Sequence, residues 1–167
     1  MCLTPRGFRR DTQRAIAEKR LVRPSVGPYG GGGVNLERDR ATAFVEGYGR
    51  TWESWNIAGF VALFSDGVVY VAHPTEETVV GREALKAYVK KEQVEQGAVR
   101  VRMGVPMVEG NHVVAEFWVT ATNRNEEATI AGCFIAQLDP TDGRCTHFRE
   151  YWFDIDGHAT AYRGWGE

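Results

Sequence analysis

The sequence predicts an α+β fold, in which helices come first and a run of long antiparallel strands follows. Apolar residues from Ala41 to Trp55 recur at three- and four-residue steps, which is the period of one helix face. From Ala98 onward apolar and polar residues alternate, which is the period of a strand. Polar turns separate these strands at residues 109–112, 123–127 and 139–143. Helices followed by neighbouring antiparallel strands are typical of an α+β domain.

Three helices are expected before the strands. The first carries an apolar stripe about five turns long, formed by Ala41, Phe44, Val45, Tyr48, Trp52 and Trp55. Asn56 is a residue type that caps helix N-termini, so a second helix is predicted from Ile57 to Phe64. Gly81 opens a third helix, whose buried side contains Leu85, Tyr88 and Val89.

The strands follow from residue type and alternation. A turn at Asp66-Gly67 precedes a short strand at 68–72, which ends at His73-Pro74 because proline cannot continue a strand ladder. A longer strand, bent near Gly104 and Pro106, is expected at 99–108. Three further strands are expected at 112–122, 128–138 and 145–154.

The last strand, 145–154, has two faces, and neither is plainly polar. One face carries Thr146, Phe148, Glu150 and Trp152, and the opposite face carries His147, Arg149, Tyr151 and Phe153. A charged side chain on an aromatic face needs a partner. We therefore interpret the Glu150 face as a ligand pocket and the opposite face as a packing or subunit surface.

Composition limits the classes of protein that the chain can represent. It has 167 residues, 43% of them hydrophobic and 25% charged, which is ordinary for a globular domain. The net charge of −2 gives no electrostatic support for binding nucleic acid, and no apolar run is long enough to span a membrane. Three cysteines are an odd and sparse set that suits a reducing compartment, so we expect a cytoplasmic protein.

Charge and glycine content divide the chain into three parts. Residues 1–34 have a net charge of +5 and end in a run of four glycines, which predicts a disordered basic tail and a flexible linker. Residues 35–156 form the predicted folded domain. Residues 157–167 form a C-terminal tail, although Tyr162 and Trp165 make it too aromatic to be purely solvated.

Several short motifs occur in an order that resembles the nuclear transport factor 2-like superfamily, in particular its SnoaL-like members. Beside the helix of Tyr48, these motifs are Leu63-Phe64-Ser65-Asp66, His73-Pro74, Gly81-Arg82-Glu83, Asp142-Gly143-Arg144 and Glu150-Tyr151-Trp152. The superfamily includes polyketide cyclases, ketosteroid isomerase, scytalone dehydratase and limonene epoxide hydrolase. The resemblance implies a cone-shaped, curved antiparallel β-sheet wrapped around the N-terminal helices, which is a cystatin-like α+β barrel with an apolar interior.

The resemblance assigns functional positions unevenly. Tyr48 is similar in position to the tyrosine with which the isomerases stabilise an oxyanion, and His73 falls near their aspartate base. Phe134 replaces their second aspartate, which argues against a steroid isomerase. Glu150 falls where the epoxide hydrolases have an acidic residue. Their Arg and Asp partners would fall near Phe117 and Val119, so that network is incomplete.

We therefore expect Tyr48, His73 and Glu150 to be catalytic residues in an apolar pocket. The expected lining comprises Trp52, Trp55, Val101, Met103, Phe117, Val119, Phe134, Phe148 and Trp152. No short ligand spacing predicts a metal site, and no glycine-rich loop predicts a nucleotide cofactor. One reading is a cofactor-independent cyclase, isomerase or dehydratase acting on a small apolar carbonyl compound. The alternative is a non-catalytic ligand-binding or assembly domain, which a pocket filled by Trp52, Trp55 and Phe134 would favour.

The outer face of the predicted sheet has the composition of a subunit interface. It combines Trp, Tyr and Arg, which are enriched in interface cores, in the set Glu116, Trp118, Thr120, His147, Arg149 and Tyr151. A two-fold contact would bury the same surface on both subunits. We expect a homodimer.

Overall fold

The computed structural model describes residues 36–123 and 126–167, so the predicted tail at 1–34 lies outside the described residues. The three helices are α1 Leu36–Glu53, α2 Ile57–Ala62 and α3 Arg82–Gln96. The seven strands are β1 Phe64–Val71, β2 Val79–Val80, β3 Ala98–Met103, β4 Met107–Glu109, β5 His112–Asn123, β6 Glu126–Leu138 and β7 Cys145–Asp156.

The strands form one curved, unclosed sheet that packs against the helices, which confirms the predicted α+β class. The order across the sheet is β2-β1-β7-β6-β5-β3, and β4 extends the pairing along β5. The long neighbours β5, β6 and β7 pair antiparallel as expected. The first strand differs, because β1 runs parallel to β7. The C-terminal strand β7 therefore lies inside the sheet, between β1 and β6.

The predicted boundary between α2 and β1 was wrong. The helix, capped by the Asn56 side chain as predicted, ends at Ala62, and β1 already begins at Phe64. Phe64 is fully buried and pairs with Cys145, so the start of the strand is fixed by core packing. The register shifts between Phe64 and Val69. Asp66-Gly67 thus lies in an irregularity within β1 and does not end a helix.

A continuous aromatic cluster joins the helices to the inner face of the sheet. Tyr70 of β1 stacks on Phe148 of β7 with 4.8 Å between ring centroids, and Phe148 also contacts Phe134 of β6 at 4.9 Å. Phe44 of α1 packs edge-on against Phe134 at 5.9 Å. These rings are almost completely buried and occupy the space that the curvature of the sheet encloses.

The C-terminal segment, residues 157–167, packs back across the outer face of the sheet. Trp118 of β5 donates its indole N–H to the Ala159 carbonyl at 3.2 Å and meets the Trp165 ring edge-on. The Arg102 guanidinium lies 5.0 Å from the centre of the Trp165 ring. Val105 N–H donates to the Gly166 carbonyl at 2.9 Å. Trp165 of this segment therefore serves as a packing group, whereas Tyr162 is 67% exposed.

Candidate functional site

Tyr48 lies on the side of α1 that faces the sheet. It belongs to the predicted stripe of buried side chains on this helix, and only 2% of its surface is exposed. Its ring packs against Phe60 of α2 and Phe134 of β6, with centroid distances of 5.1 and 5.2 Å. Because helix and sheet both hold the ring, the direction of its hydroxyl is set by the fold.

Glu150 lies on the inner face of β7, as the alternation of this strand predicted. It pairs with Phe134 across the strand ladder, and its side chain is 6% exposed. The Tyr48 hydroxyl donates a hydrogen bond to Oε1 of Glu150. The other carboxyl oxygen, Oε2, is thereby left to carry a proton. Tyr48 and Glu150 form the polar pair at the base of the site.

Burial gives this pair unusual acidities. Loss of solvent raises the pKa of Glu150 to about 8, and the negative charges of Glu92 and Glu76 act in the same direction. The hydrogen bond from Tyr48 lowers it by a smaller amount. Burial and the nearby Glu150 hold the pKa of Tyr48 well above its ordinary value. At neutral pH the phenol is a hydrogen-bond donor, and the carboxyl is mostly neutral.

A small cavity lies directly above this pair. Its volume is about 40 Å³, which is room for about three water molecules. Ten described residues line it, and six of them are aromatic: Tyr48, Trp52, Trp55, Phe60, Tyr70, Tyr88, Val89, Glu92, Gln96 and Glu150. The cavity is thus an aromatic chamber with one carboxyl at its base and polar side chains of α3 on another wall.

Helix α3 is tied across the mouth of the cavity by two tryptophans. Trp52 donates its indole N–H to Oε1 of Gln96 at 2.9 Å, and Trp55 donates to the Gly97 carbonyl at 2.7 Å. Gln96 in turn donates to Oε2 of Glu92 at 3.1 Å. Trp55 has a positive φ of 50°, which is uncommon for a large residue and turns its side chain toward α3. These bonds fix the wall formed by Glu92 and Gln96.

The matching family model is that of the SnoaL-like domain, which covers residues 42–148 and hence more than half of the sequence. The chain belongs to the SnoaL-like domain family. A search of curated protein sequences found no significant match.

Solved structures share this fold. One is the epoxide hydrolase/cyclase-like enzyme SalBIII, which has a role in pyran ring formation in the polyether salinomycin. It is 17% identical to this chain with a TM-score of 0.62, and the match covers 69% of this chain and 92% of SalBIII. A Mycobacterium tuberculosis LEH-like epoxide hydrolase is 19% identical with a TM-score of 0.58 (69% and 84% covered). A ketosteroid isomerase-like protein from Catenulispora acidiphila DSM 44928, in complex with trimethylamine, is 18% identical with a TM-score of 0.59 (65% and 83% covered). At these identities the likeness concerns the fold.

In this SnoaL-like domain, His73 does not join the other two predicted catalytic residues. Its Nδ1 lies 2.7 Å from the Thr75 hydroxyl, and its ring packs against Trp152 at 4.9 Å. It is not among the residues that line the cavity. Strand β1 ends at Val71, so His73 already lies in the loop that follows it.

The predicted pocket residues have three different locations. Trp52 and Trp55 line the cavity. Val101 and Met103 border a separate open depression beside the end of α1. Trp152 is half-buried and donates its indole N–H to the Ala72 carbonyl at 2.7 Å. The others are buried core residues behind the cavity wall: Phe117, Val119, Phe134 and Phe148.

The sequence-based prediction missed the α3 wall and one strand residue. Tyr70 alternates with Val68 and Ala72 on the buried side of β1, so the period of that strand was a usable signal. Glu92 and Gln96 continue the helical spacing of Leu85, Tyr88 and Val89. Because Glu92 and Gln96 are polar, the pattern favoured a solvated face and concealed their position at the cavity.

The described residues were also compared with the requirements of a metal site and of a membrane-spanning helix. Within residues 36–123 and 126–167, no three His, Cys, Asp or Glu side chains lie close enough together to hold a metal ion. In the same part of the chain, no helix is both long and apolar enough to cross a membrane.

Proposed function

We propose that this SnoaL-like domain binds a small molecule in the aromatic cavity and is a cofactor-independent enzyme of the isomerase, cyclase or dehydratase type. The observation that carries the proposal is the buried Tyr48–Glu150 pair at the base of the cavity. A carboxyl group with a pKa of about 8 has both protonation states accessible near neutral pH. This suits a group that both accepts and donates a proton.

The proposed chemistry is a proton shift on a small carbonyl compound. The Glu150 carboxylate takes a proton from the carbon next to the carbonyl, and negative charge develops on the carbonyl oxygen. Tyr48, whose raised pKa keeps its phenol protonated, turns its single O–H from Glu150 to that oxygen and donates a hydrogen bond to it. The protonated Glu150 then returns the proton to the substrate at a second position. Packing against Phe60 and Phe134 holds the Tyr48 ring in place, so only its hydroxyl hydrogen has to change partner.

The first test is hydrogen–deuterium exchange at the carbon next to the carbonyl in a panel of small ketones and aldehydes, followed by NMR in D₂O. The wild type should accelerate exchange for compounds that fit the cavity. Tyr48→Phe and Glu150→Gln should each lower the rate by about 10²-fold or more. His73→Ala, whose side chain is outside the cavity lining, should stay within about threefold of the wild type. Exchange that survives Glu150→Gln would reject the proton-transfer role.

A second candidate is a ligand-binding domain without catalysis. The volume of about 40 Å³ favours it, since pockets for drug-sized ligands are typically about 300–1,000 Å³. Of the three residues expected to fill the pocket in this alternative, Trp52 and Trp55 lie at the mouth of the cavity. The third, Phe134, is a core residue behind the cavity wall. The ketosteroid isomerase-like protein in complex with trimethylamine supports a ligand of small size in this fold. Ligand binding without any exchange would favour this candidate.

We also propose that the protein is a cytoplasmic homodimer. Cys133 and Cys145 are free thiols, which suits a reducing compartment. On the outer face of β7, Tyr151 and Phe153 are 45% and 60% exposed, beside the exposed Arg149. Trp118, predicted for the same interface, is instead packed against the C-terminal segment. The dimer surface is therefore expected to centre on β7.

Tyr151→Asp is expected to convert the dimer to a monomer, because each subunit would bury an unpaired carboxylate in the proposed contact. Sedimentation at micromolar concentration measures this directly. Val94→Asp is the matched control, since Val94 is equally apolar and 71% exposed but lies on α3. A wild-type monomer at these concentrations would refute the interface.

A further inference from the structure

Every charge that the described cavity lining can carry is negative. Glu150 lies at its base and Glu92 on the α3 wall, and none of its ten described lining residues is Lys, Arg or His. The two carboxyl groups interact unfavourably, since the charge of Glu92 disfavours ionisation of Glu150. A chamber of this kind attracts a positive charge and repels an anion.

The remaining lining is suited to the same charge. Six aromatic rings surround the space, and the face of an aromatic ring carries partial negative charge that attracts cations. Tyr48 and Trp52 meet edge-on at 5.8 Å, so their rings form two walls at a steep angle. Trp55 contributes a further ring at the mouth.

The basic residues nearest in sequence to Glu92 do not place their positive charges inside the cavity. Lys90 and Lys91 are exposed residues of α3 and are not among the lining residues, and Lys91 lies 3.5 Å from Glu95 in an ion pair. The half-buried Glu92 carboxylate receives its hydrogen bond from the neutral Gln96 amide. Lys91 acts electrostatically on Glu92 from outside the lining. Within the described lining, the carboxyl groups have hydrogen-bond donors but no basic side chain.

We propose that the cavity binds the cationic head of a small organic ligand, of the methylated ammonium class, between its aromatic rings and the carboxyl groups of Glu92 and Glu150. A methylated ammonium ion suits an aromatic chamber better than a metal cation, because its methyl groups contact rings and its hydration is weak. The volume of about 40 Å³ is smaller than a whole head group of this class, so the bound cation would also occupy the mouth between Trp52 and Trp55. The inference rests on the cavity being a ligand site, as proposed above, but not on catalysis.

A matched pair of probes isolates the charge. Choline and 3,3-dimethyl-1-butanol have the same shape, but the alcohol has a neutral carbon in place of the ammonium nitrogen. Each is titrated at constant ionic strength into the full-length protein, and binding is followed by NMR at the indole N–H groups of Trp52 and Trp55. Choline should bind at least about tenfold more tightly than the alcohol. Its shifts should concentrate on the lining residues.

Variants then test the two carboxyl groups separately. Glu92→Gln preserves an acceptor for Gln96 and removes only the charge, and Glu150→Gln preserves an acceptor for Tyr48. At a pH above 8, where Glu150 is ionised, each should weaken choline binding by at least about threefold and leave the neutral alcohol unchanged. Glu83→Gln is the control, because Glu83 is an exposed residue of the same helix and does not line the cavity. It should bind choline like the wild type.

The affinity for choline should also depend on pH, since choline itself does not titrate. Ionisation of Glu150 near pH 8 adds a negative charge to the site, so affinity should rise through that pH and stay flat in Glu150→Gln. The groups that act electrostatically on Glu150, or on which it acts, come from several elements: Tyr48, Tyr70, Glu76, Tyr88, Glu92 and Cys133.

The outcomes separate this inference from the proposed function. If choline and the alcohol bind equally well, the cation inference is overturned and the cavity remains a ligand site. If neither shifts the lining residues, the cation inference is overturned, and the proposed function is decided by the exchange test on carbonyl compounds. Choline shifts that map outside the cavity also overturn the inference, as does a Glu83→Gln variant that loses as much affinity as Glu92→Gln.

Discussion

Replacing Glu150 with glutamine should make the protein more stable at neutral pH, by about 3 kcal/mol. The ordinary pKa of the carboxyl is 4.5, and in the folded protein it is about 8. Between these two values the folded state holds a proton that the unfolded state has lost. Unfolding therefore releases a proton, and stability falls as pH rises through this window. Glutamine does not titrate, yet it still accepts the hydrogen bond from Tyr48.

The measurement is urea unfolding of the wild type and Glu150→Gln at several pH values. The two proteins should be nearly equal in stability near the lower end of the window and should diverge steadily up to about pH 8. Above that value the difference should stay constant. Other titrating groups are common to both proteins, so the difference isolates Glu150. A variant that is less stable than the wild type at every pH would show that the carboxyl is not buried as described.

Replacing Gly132 with alanine should destabilise the protein by about 3 kcal/mol or more. Gly132 of β6 lies directly opposite Trp152 of β7. A Cβ atom there would stand 2.2 Å from the Tyr151 carbonyl oxygen and 2.7 Å from Cβ of Trp152. Because backbone atoms of β7 are involved, a change of side-chain rotamer cannot relieve the overlap. The strands must separate, and the bond from Trp152 to the Ala72 carbonyl is then strained.

Gly67→Ala is the matched control for this change. Gly67 lies in the irregular part of β1, and a Cβ atom there has no neighbour within 4 Å. Its replacement should therefore leave stability within about 0.5 kcal/mol of the wild type. Thermal or urea unfolding of both variants gives the comparison. Equal stability of Gly132→Ala and Gly67→Ala would mean that β6 and β7 approach each other less closely than described.

The sequence predicted those site residues whose inward direction follows from the periodicity of one helix or one strand. The apolar stripe of α1 indicated that Tyr48 faces inward, and the alternation of β7 indicated the same for Glu150. Both members of the Tyr48–Glu150 pair could therefore be predicted. Periodicity gives the face of an element but not its neighbours. For that reason the parallel pairing of β1 with β7 was not predicted, nor was the departure of His73 from the cavity.

Other features depend on tertiary packing that no local pattern contains. The volume of the cavity depends on how closely the Tyr48, Trp52 and Phe60 rings approach one another. The role of Glu92 depends on the angle at which α3 crosses the mouth, since its spacing alone suits a solvated face equally well. Trp118 was expected in a subunit interface from its composition, but the C-terminal segment packs on it.

The place of β7 inside the sheet has a consequence for how the chain is made. Of the described strands it is the last to be synthesised, yet it lies between β1 and β6. Until it arrives, β1 and β6 each present an unpaired edge, and such edges are open to pairing with other chains. Glu150 remains in water during this time, because it is carried by the missing strand. Its neutralisation therefore accompanies the final insertion step, so alkaline conditions should slow the completion of folding.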